Sequence, residues 1–215
     1  MRIDPSFFSS YLEETFPDAK CSLHFSSPFE ALVAVMLSAQ TTDASVNKVT
    51  PALFAKFPTP FELSKASQKE VEAYIQSLGL FHNKAKNLIA LSKVLVEQFK
   101  GDVPSSFDDL VSLPGVGVKT ANVVSAECFA RPSIPVDTHV GRVSKRVGYA
   151  KKDDEPVAVE KKLEKIFPKE SWIPLHHRII AFGREICHAQ KPECDWCGFH
   201  SVCPYKAKAL TKAGK

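Results

Sequence analysis

The stretch Leu113–Ala121 constrains the fold of this chain most, because one proline and two glycines interrupt two helical runs within it. An amphipathic run, residues 106–111, precedes the stretch, and a second helical run follows it. Pro114 and Gly115 break the first helix, and Gly117 is expected to relieve the backbone just before the second. The sequence therefore predicts two helices joined by a tight glycine hairpin.

This hairpin has the chemistry of an anion site. Gly115 and Gly117 lack Cβ atoms, so a bulky anion such as a phosphodiester could approach their N–H groups at a helix N-terminus. Lys119 falls in the first turn of the second helix, where the dipole disfavours positive charge, and a lysine acting as a neutral nucleophile would be placed there. The alternative is an ordinary helix–helix turn with a solvated lysine, because short glycine motifs occur often by chance.

The rest of the chain has the pattern of an all-α fold. Apolar residues recur at helical spacing, and no Asn-Gly or Asp-Gly hairpin or sustained period-two alternation occurs. Residues 27–30 match a capping box, and they open the run 31–37, which is apolar on nearly every side and typical of a buried central helix. We predict about ten helices and a natural division near Arg131.

Charge is distributed unevenly along the chain. Residues 1–130 hold 11 Lys/Arg against 14 Asp/Glu, a net charge of −3, whereas residues 131–215 hold 17 against 10, a net charge of +7. A basic half beside an acidic half suggests that one face meets a polyanion. A merely solvated basic surface is the alternative. A chain that is 44% hydrophobic and 24% charged can bury the core of one or two domains.

We expect a cytoplasmic protein with no membrane association. The start of the chain lacks the apolar core of a signal peptide, and no apolar run approaches the roughly 20 residues that a bilayer crossing requires. Cysteines are usually reduced in the cytoplasm, so a cluster of them there indicates metal binding or catalysis rather than disulfides.

Such a cluster is present as Cys187-x6-Cys194-x2-Cys197-x5-Cys203. Four thiolates in a short non-helical segment can converge on zinc or on an iron–sulfur cluster. Structural zinc sites usually pair two tight knuckles, and only one pair is tight here. The longer loops suit a larger 4Fe–4S cluster. The spacing favours iron–sulfur and leaves zinc open.

A second candidate catalytic group lies in the segment Val136–His139. Asp137 precedes a helical run, where an acidic residue is most often a simple N-cap. It also lies 18 residues after Lys119, so one helix and an extended turn could bring the carboxylate to face the amine. An amine nucleophile with a nearby carboxylate is a recognisable pair for covalent catalysis.

Together, the hairpin, the Val136–His139 segment and the four-cysteine loop resemble the helix-hairpin-helix DNA glycosylases of the endonuclease III family. The segments 25–30 and 37–40 are also similar to that family, and the order and spacing match from about Phe25 to Cys203. The resemblance implies a six-helix domain over residues 22–131 and a discontinuous cluster domain over residues 1–21 and 132–211.

The same resemblance implies that DNA binds in a cleft between these two domains. The Lys-rich composition at the end of the sequence predicts a disordered tail over residues 212–215. The resemblance implies that the four cysteines hold a 4Fe–4S cluster. It also implies a bifunctional DNA glycosylase and AP lyase of base excision repair, acting as a monomer in the bacterial nucleoid. The expected partner is double-stranded DNA that contains damaged pyrimidines or abasic sites.

In this family a damaged pyrimidine is flipped out of the duplex, and an amine attacks its sugar. The resemblance implies that Lys119 is that nucleophile and that Asp137 stabilises the cationic sugar, after which the strand is nicked by β-elimination. The resemblance implies DNA contacts for Gln40, Leu80, Gly115, Gly117, His139 and Lys191. Locally, Leu80 after Gly79 also matches a Schellman cap. Val118 departs from the family pattern, since a basic residue is common at that position.

Three other functions are considered from the sequence. An adenine-mismatch DNA glycosylase would share the fold and the cluster, but it lacks the hairpin lysine and carries an added domain after the cluster. Here Lys119 is present, and twelve residues follow Cys203. A non-enzymatic DNA-binding module would not need the pair of Lys119 and Asp137. An electron-transfer protein would not need the hairpin.

Overall fold

The computed structural model of the chain describes residues 2–207. Eleven α-helices lie within these residues, residues 204–207 are also helical, and no strand occurs among them, so the all-α prediction is confirmed. The helices are α1 (Pro5–Thr15), α2 (Pro28–Leu37), α3 (Asp43–Lys56), α4 (Pro60–Lys65), α5 (Gln68–Ile75), α6 (Phe81–Phe99), α7 (Phe107–Ser112), α8 (Val118–Phe129), α9 (Thr138–Val147), α10 (Pro156–Ile166) and α11 (Trp172–Glu185). A 3-10 turn, Lys169–Ser171, leads into α11.

The chain divides into two compact units. One is Cys21–Arg131, with helices α2 to α8, and the other comprises the described residues of Met1–Lys20 and Pro132–Lys215. Each unit has its own hydrophobic core. The predicted tail, residues 212–215, lies outside the described residues. Among the described helices, none combines the length and apolarity that a membrane crossing requires.

Helix α2 is the centre of the first unit. Every residue from Phe29 to Leu37 except Glu30 is buried, and α3, α6 and α8 pack around the helix. The hydroxyl of Ser27 accepts from the Glu30 N–H at 3.2 Å, which begins the helix. The Glu30 carboxylate accepts from the N–H and hydroxyl of Ser26, both at 2.6 Å, so the predicted capping box reaches back one residue further than its pattern indicates.

An aromatic cluster forms the core of the second unit and ties α1 to the cysteine-bearing loop. The ring of Phe199 stacks on Phe8 at 5.3 Å and meets the edge of Tyr11 at 4.5 Å, measured between centroids. The N–H of Gly198 donates to the Tyr11 hydroxyl at 3.2 Å. A Cβ at Gly198 would lie 2.3 Å from Tyr11 Cε2, so only glycine permits this approach.

We expect Leu32→Ala to lower the free energy of unfolding by about 3 kcal/mol, because it leaves a cavity at a fully buried position of α2. The same chemical change at Leu80, which is 55% exposed, should cost less than about 0.5 kcal/mol. Urea denaturation followed by circular dichroism measures both. Equal losses for the two variants would contradict the central place of α2.

Candidate active site and metal centre

The turn between α7 and α8 requires glycine at Gly115. Its φ of +78° lies in the left-handed region, which residues with a side chain rarely adopt. A Cβ there would lie 2.8 Å from Met36 Cε and 3.0 Å from Asn87 Cβ. The turn is thus held against the C-terminal part of α2 and the second turn of α6, and glycine is demanded by the fold itself.

Gly117 is different, and the expectation that it relieves the backbone is wrong. Its φ of −92° and ψ of 172° are extended backbone that any residue adopts, and a Cβ would meet nothing within 4 Å. Its effect is instead to leave open space beside the first turn of α8. As the N-cap residue it supplies no side-chain hydrogen bond, so the first-turn N–H groups are not capped by a side chain.

The candidate nucleophile Lys119 is the second residue of α8 and is exposed. Its neighbour Val118 is 52% exposed, so this helix terminus presents one cation and one apolar side chain to solvent. The uncapped N–H groups can bind an anionic ligand. The exposed amine of Lys119 lies beside them and can therefore reach that ligand.

Asp137 is the N-cap of α9, which is the simpler of the two roles that the sequence suggests for it, the other being catalysis. Its Oδ1 accepts from the Val140 N–H at 2.7 Å, and its Oδ2 lies 3.2 Å from Nδ1 of His139. The carboxylate is mostly buried and its direction is set by the cap. His139 in turn packs on α11, where a Cβ at Gly183 would lie 3.1 Å from His139 Cβ. The cap therefore orients a carboxylate as well as beginning a helix.

Gln40 and Leu80 share an unusual backbone conformation. Gln40, in the turn after α2, has φ 55°, and Leu80, the N-cap of α6, has φ 59°. Both side chains are exposed. Left-handed backbone at residues other than glycine is a strain that persists where the surroundings hold it, often at functional sites. Both residues belong to the same unit as Lys119.

The local alternative for Leu80, a Schellman cap, is wrong. Gly79 does not have a positive φ, and the left-handed residue is Leu80 itself. Leu80 is also 55% exposed, so it does not bury the apolar contact that frequently accompanies such a cap, whereas Leu78 is buried. Leu80 therefore projects outward for a reason other than helix termination.

The four cysteines of the second unit line one cavity. Its remaining walls are largely apolar and include Val147, Phe182, Ile186 and Phe199. Within residues 2–207, no group of three or more His, Cys, Asp or Glu side chains forms a site for a single metal ion. The donor set of the cavity, four thiols from one loop segment, is one that structural zinc sites and iron–sulfur clusters both use.

One hydrogen bond to sulfur suits a thiolate ligand. Nη1 of Arg146 donates to Cys187 Sγ at 3.3 Å. Such donors stabilise thiolate ligands. Burial raises the pKa of the Cys197 thiol to about 11 and also raises the pKa of Cys194, so any metal centre that these thiols bind must displace their protons.

Sequence reasoning did not identify Arg142 and Arg146, which hold the start of the cysteine loop. Arg142 donates to the carbonyls of Cys187 at 3.1 Å and Gly183 at 2.7 Å. Arg146 donates to the carbonyls of His188 at 2.6 Å and Ala189 at 3.0 Å. The available signal was the spacing of four between the two arginines, which places both on one face of the helix that Asp137 begins.

Lys191 lies in the loop between Cys187 and Cys194, is exposed and has φ 48°. The loop is closed by a hydrogen bond from the Glu193 N–H to the Ile186 carbonyl at 2.9 Å. The predicted site residues thus fall into two sets. Gln40, Leu80, Gly115, Gly117 and Lys119 belong to Cys21–Arg131, whereas Asp137, His139, Lys191 and the four cysteines belong to the other unit.

The all-helical fold, the hairpin and the four-thiol cavity define a helix-hairpin-helix protein with a cysteine-rich loop. A family model described as "HhH-GPD superfamily base excision DNA repair protein" matches residues 33–169. Endonuclease III of Bacillus subtilis (strain 168) is 50% identical over 190 residues, which cover 88% of this chain and 87% of that protein. Endonuclease III of Escherichia coli (strain K12) is 45% identical over 198 residues, covering 92% of this chain and 93% of that protein.

Solved structures agree with these relatives. The structure of a trapped endonuclease III–DNA covalent intermediate, an estranged-adenine complex, is 47% identical with a TM-score of 0.92, and it covers 98% of this chain and 100% of that one. The chain therefore belongs to the HhH-GPD superfamily of base excision DNA repair proteins and, within it, to the endonuclease III family. The family assignment made from the sequence is confirmed.

We expect Gly115→Ala to destabilise the protein by about 2–4 kcal/mol, because it adds left-handed strain to a steric overlap with Met36 and Asn87. Gly117→Ala should change stability by less than about 0.5 kcal/mol, since its Cβ enters open space. Thermal unfolding of the two variants beside the wild type measures the difference. A large loss at Gly117 would show that its glycine serves the fold.

Proposed function

We propose that the protein is a bifunctional DNA glycosylase and AP lyase of base excision repair, which removes oxidised pyrimidines and nicks the abasic site that results. The observation that carries this function is Lys119, an exposed amine in the first turn of an uncapped helix. A covalent DNA intermediate requires such a nucleophile, and the similar solved structure is described as a trapped covalent intermediate.

The first step removes the damaged base from the stack, because C1′ of its sugar is unreachable inside the duplex. Gln40 and Leu80 are proposed to enter the space that the flipped base leaves. Both are exposed, and their left-handed turns project them from the same unit. The amide of Gln40 can hydrogen-bond the unpaired partner base, and the Leu80 side chain can replace lost stacking contacts.

The second step breaks the glycosidic bond. The neutral Nζ of Lys119 attacks C1′, a C–N bond forms, and the base leaves with its electron pair and takes up a proton. Positive charge develops on the sugar during this step. Asp137 is proposed to stabilise that charge, as a fixed carboxylate does at low cost in reorganisation. Its Oδ1 accepts a hydrogen bond from the Val140 N–H, and its Oδ2 lies 3.2 Å from Nδ1 of His139.

The third step cleaves the strand. The sugar ring opens at O4′, which gives a protonated imine between C1′ and Lys119. The imine withdraws electrons, so a proton leaves C2′ and the electron pair expels the 3′ phosphate. Hydrolysis of the imine then frees the amine. A water nucleophile would give only an abasic site, so Lys119 makes the enzyme bifunctional.

Binding to the backbone of the duplex is proposed for the hairpin, for His139 and for Lys191. The uncapped N–H groups of α8 suit a phosphate, Gly115 shapes the turn that presents them, and the open space at Gly117 lets the phosphate approach. Such contacts position the duplex without reading its sequence. Val118 contributes no charge where family members often have a basic residue. We propose that the protein acts as a monomer on DNA in the bacterial nucleoid, with the duplex contacting both units.

A 4Fe–4S cluster is proposed as the cofactor, held by Cys187, Cys194, Cys197 and Cys203. The four thiolates would be its ligands, and their attachment to one group would restrain the loop that carries Lys191. The cavity is lined largely by apolar side chains, and the four thiols fill the ligand set. We therefore propose a structural and DNA-positioning role for the cluster.

The rival function, an adenine-mismatch glycosylase, is disfavoured because such an enzyme lacks the hairpin lysine.

Lys119→Gln removes the amine but keeps a similar length and hydrogen-bonding capacity. Borohydride should trap the wild type covalently on duplex DNA that contains an abasic site or an oxidised thymine, because it reduces imines to stable amines. The variant should lose trapping and nicking while keeping DNA affinity within about tenfold, since one cation carries only part of the binding. Trapping of Lys119→Gln at wild-type yield would identify another amine as the nucleophile.

Asp137→Asn is the contrasting variant in the same assay. Asparagine caps helices as well as aspartate, so the hydrogen bond to Val140 and the stability should be retained. Loss of the charge should slow base release by about 10²–10³-fold. Nicking at a preformed abasic site should fall less, because the base has already left. Equal losses in both reactions would contradict the role of Asp137 in base release.

We expect the purified protein to be yellow-brown, from charge transfer between thiolate sulfur and iron. Serine at any one of Cys187, Cys194, Cys197 or Cys203 should abolish or weaken the colour. Cys21→Ser and Cys128→Ser, which remove thiols of the other unit, should keep it. Visible absorption and metal analysis are the measurements. A colourless protein with one equivalent of zinc would overturn the cluster.

A further inference from the structure

Lys84 is a buried lysine that lies between the two exposed turns of the Cys21–Arg131 unit. It lies one turn into α6 and is only 8% exposed, although lysines are rarely buried without a partner. Its Nζ donates to the Thr41 hydroxyl at 2.7 Å, and its backbone N–H donates to the Leu80 carbonyl at 3.0 Å. One residue therefore contacts the turn that follows α2 and the turn that begins α6.

Each of these turns carries one of the two strained, exposed residues. Thr41 directly follows Gln40, and its own N–H donates to the Ser38 carbonyl at 3.1 Å, which closes the first turn. Leu80 is the residue whose carbonyl Lys84 engages. Left-handed backbone outside glycine persists only where neighbouring contacts hold it. The first intrahelical bond of α6 holds the Leu80 turn to Lys84, and the side-chain bond from Lys84 to Thr41 extends that hold to the Gln40 turn.

A second set of contacts, to α5, also holds the Leu80 turn. Nδ1 of His82 lies 2.8 Å from Oε1 of Glu72, and Nε2 of Gln68 donates to the same oxygen at 2.7 Å. These contacts hold the turn against α5. They do not reach the Gln40 turn, for which the side chain of Lys84 provides the link to α6.

Burying the ammonium group of Lys84 costs free energy, because the charge loses its contact with water. The group donates to the neutral hydroxyl of Thr41, and burial lowers the pKa of Lys84 below its ordinary value. A methionine of similar length would fill the same volume without burying a charge. The lysine is therefore explained by its directional hydrogen bond to Thr41 rather than by packing.

We propose that Lys84 is a positioning residue that couples the Gln40 and Leu80 turns, so that both side chains enter the duplex together when a base is flipped. This inference rests on the proposed insertion of Gln40 and Leu80. A link formed before binding removes the entropy that would otherwise be lost in ordering two independent turns on the DNA. The benefit falls on base flipping and not on the chemistry at Lys119.

Two variants break the link from opposite sides. Lys84→Met removes the donor and keeps the length of the side chain, and Thr41→Val removes the acceptor from a partly exposed position while keeping its shape. Thr41→Ser retains the hydroxyl. Lys86→Met is the matched control, since it removes the same charge from an exposed position of the same helix.

The activity measurements separate flipping from chemistry. Single-turnover excision of an oxidised pyrimidine, with 2-aminopurine beside it to report unstacking, should slow about 10–100-fold in Lys84→Met and Thr41→Val, as expected for a lost hydrogen bond to a charged group. The double variant should be no slower than the worse single one. Nicking at a preformed abasic site should change by less than about threefold, Thr41→Ser should restore excision, and Lys86→Met should match the wild type.

Amide hydrogen exchange of the DNA-free protein tests the coupling without any substrate. Lys84→Met and Thr41→Val should each speed exchange in both turns, residues 38–42 and 78–82, and leave α2 protected. Faster exchange in one turn only, or excision and abasic-site nicking reduced by the same factor, would overturn the inference. A wild type that excises no damaged base would instead refute the proposed function, whereas the exchange result would still decide whether the turns are coupled.

Discussion

Burial of α2 is the constraint on which the first unit depends. The helix is apolar on nearly every side, so other helices must cover it, and α3, α6 and α8 do so. The functional positions follow from that packing. Met36 contacts the site of Gly115, the turn after Leu37 carries Gln40, and α6 begins at Leu80. A change in how α2 is packed would therefore move the hairpin and both exposed turns at once.

In the second unit, helix α9 positions the functional groups. Its N-cap is Asp137, whose carboxylate is oriented by the Val140 N–H, and its later turns carry Arg142 and Arg146. The arginines bond the carbonyls of Gly183, Cys187 and His188, where α11 gives way to the cysteine loop. One helix thus orients the proposed catalytic carboxylate at its N-terminus and holds the cysteine loop through the arginines of its later turns.

The two glycines of the hairpin illustrate how differently one residue type can be used. Gly115 is required by its positive φ and by the side chains packed against it, so its identity is explained inside the protein. Gly117 has ordinary extended backbone and open space around it, so nothing inside the described protein demands glycine there. Since the fold does not require glycine at Gly117, the close approach of a ligand is the better explanation for glycine at that position.

Much of this protein could be predicted from its sequence because the informative signals are local. Helical periodicity, helix caps and breakers are set by neighbouring residues, and the spacing of the four cysteines restricts the centre they can hold. The family follows from the order of these motifs. The candidate residues Lys119 and Asp137 were likewise found from their positions at helix N-termini, which are visible in the chain.

Only the tertiary structure decided what depends on contacts between distant residues. The sequence does not reveal that Gly117 is free of steric demand, that Leu80 rather than Gly79 is left-handed, or that Leu78 is buried. It also does not reveal the link from Lys84 to Thr41, which spans 43 residues, or the bonds from Arg142 and Arg146 to the cysteine loop. Local propensity fixes the helices, whereas the burial of one side chain against another depends on how all the helices pack, and no short segment encodes that.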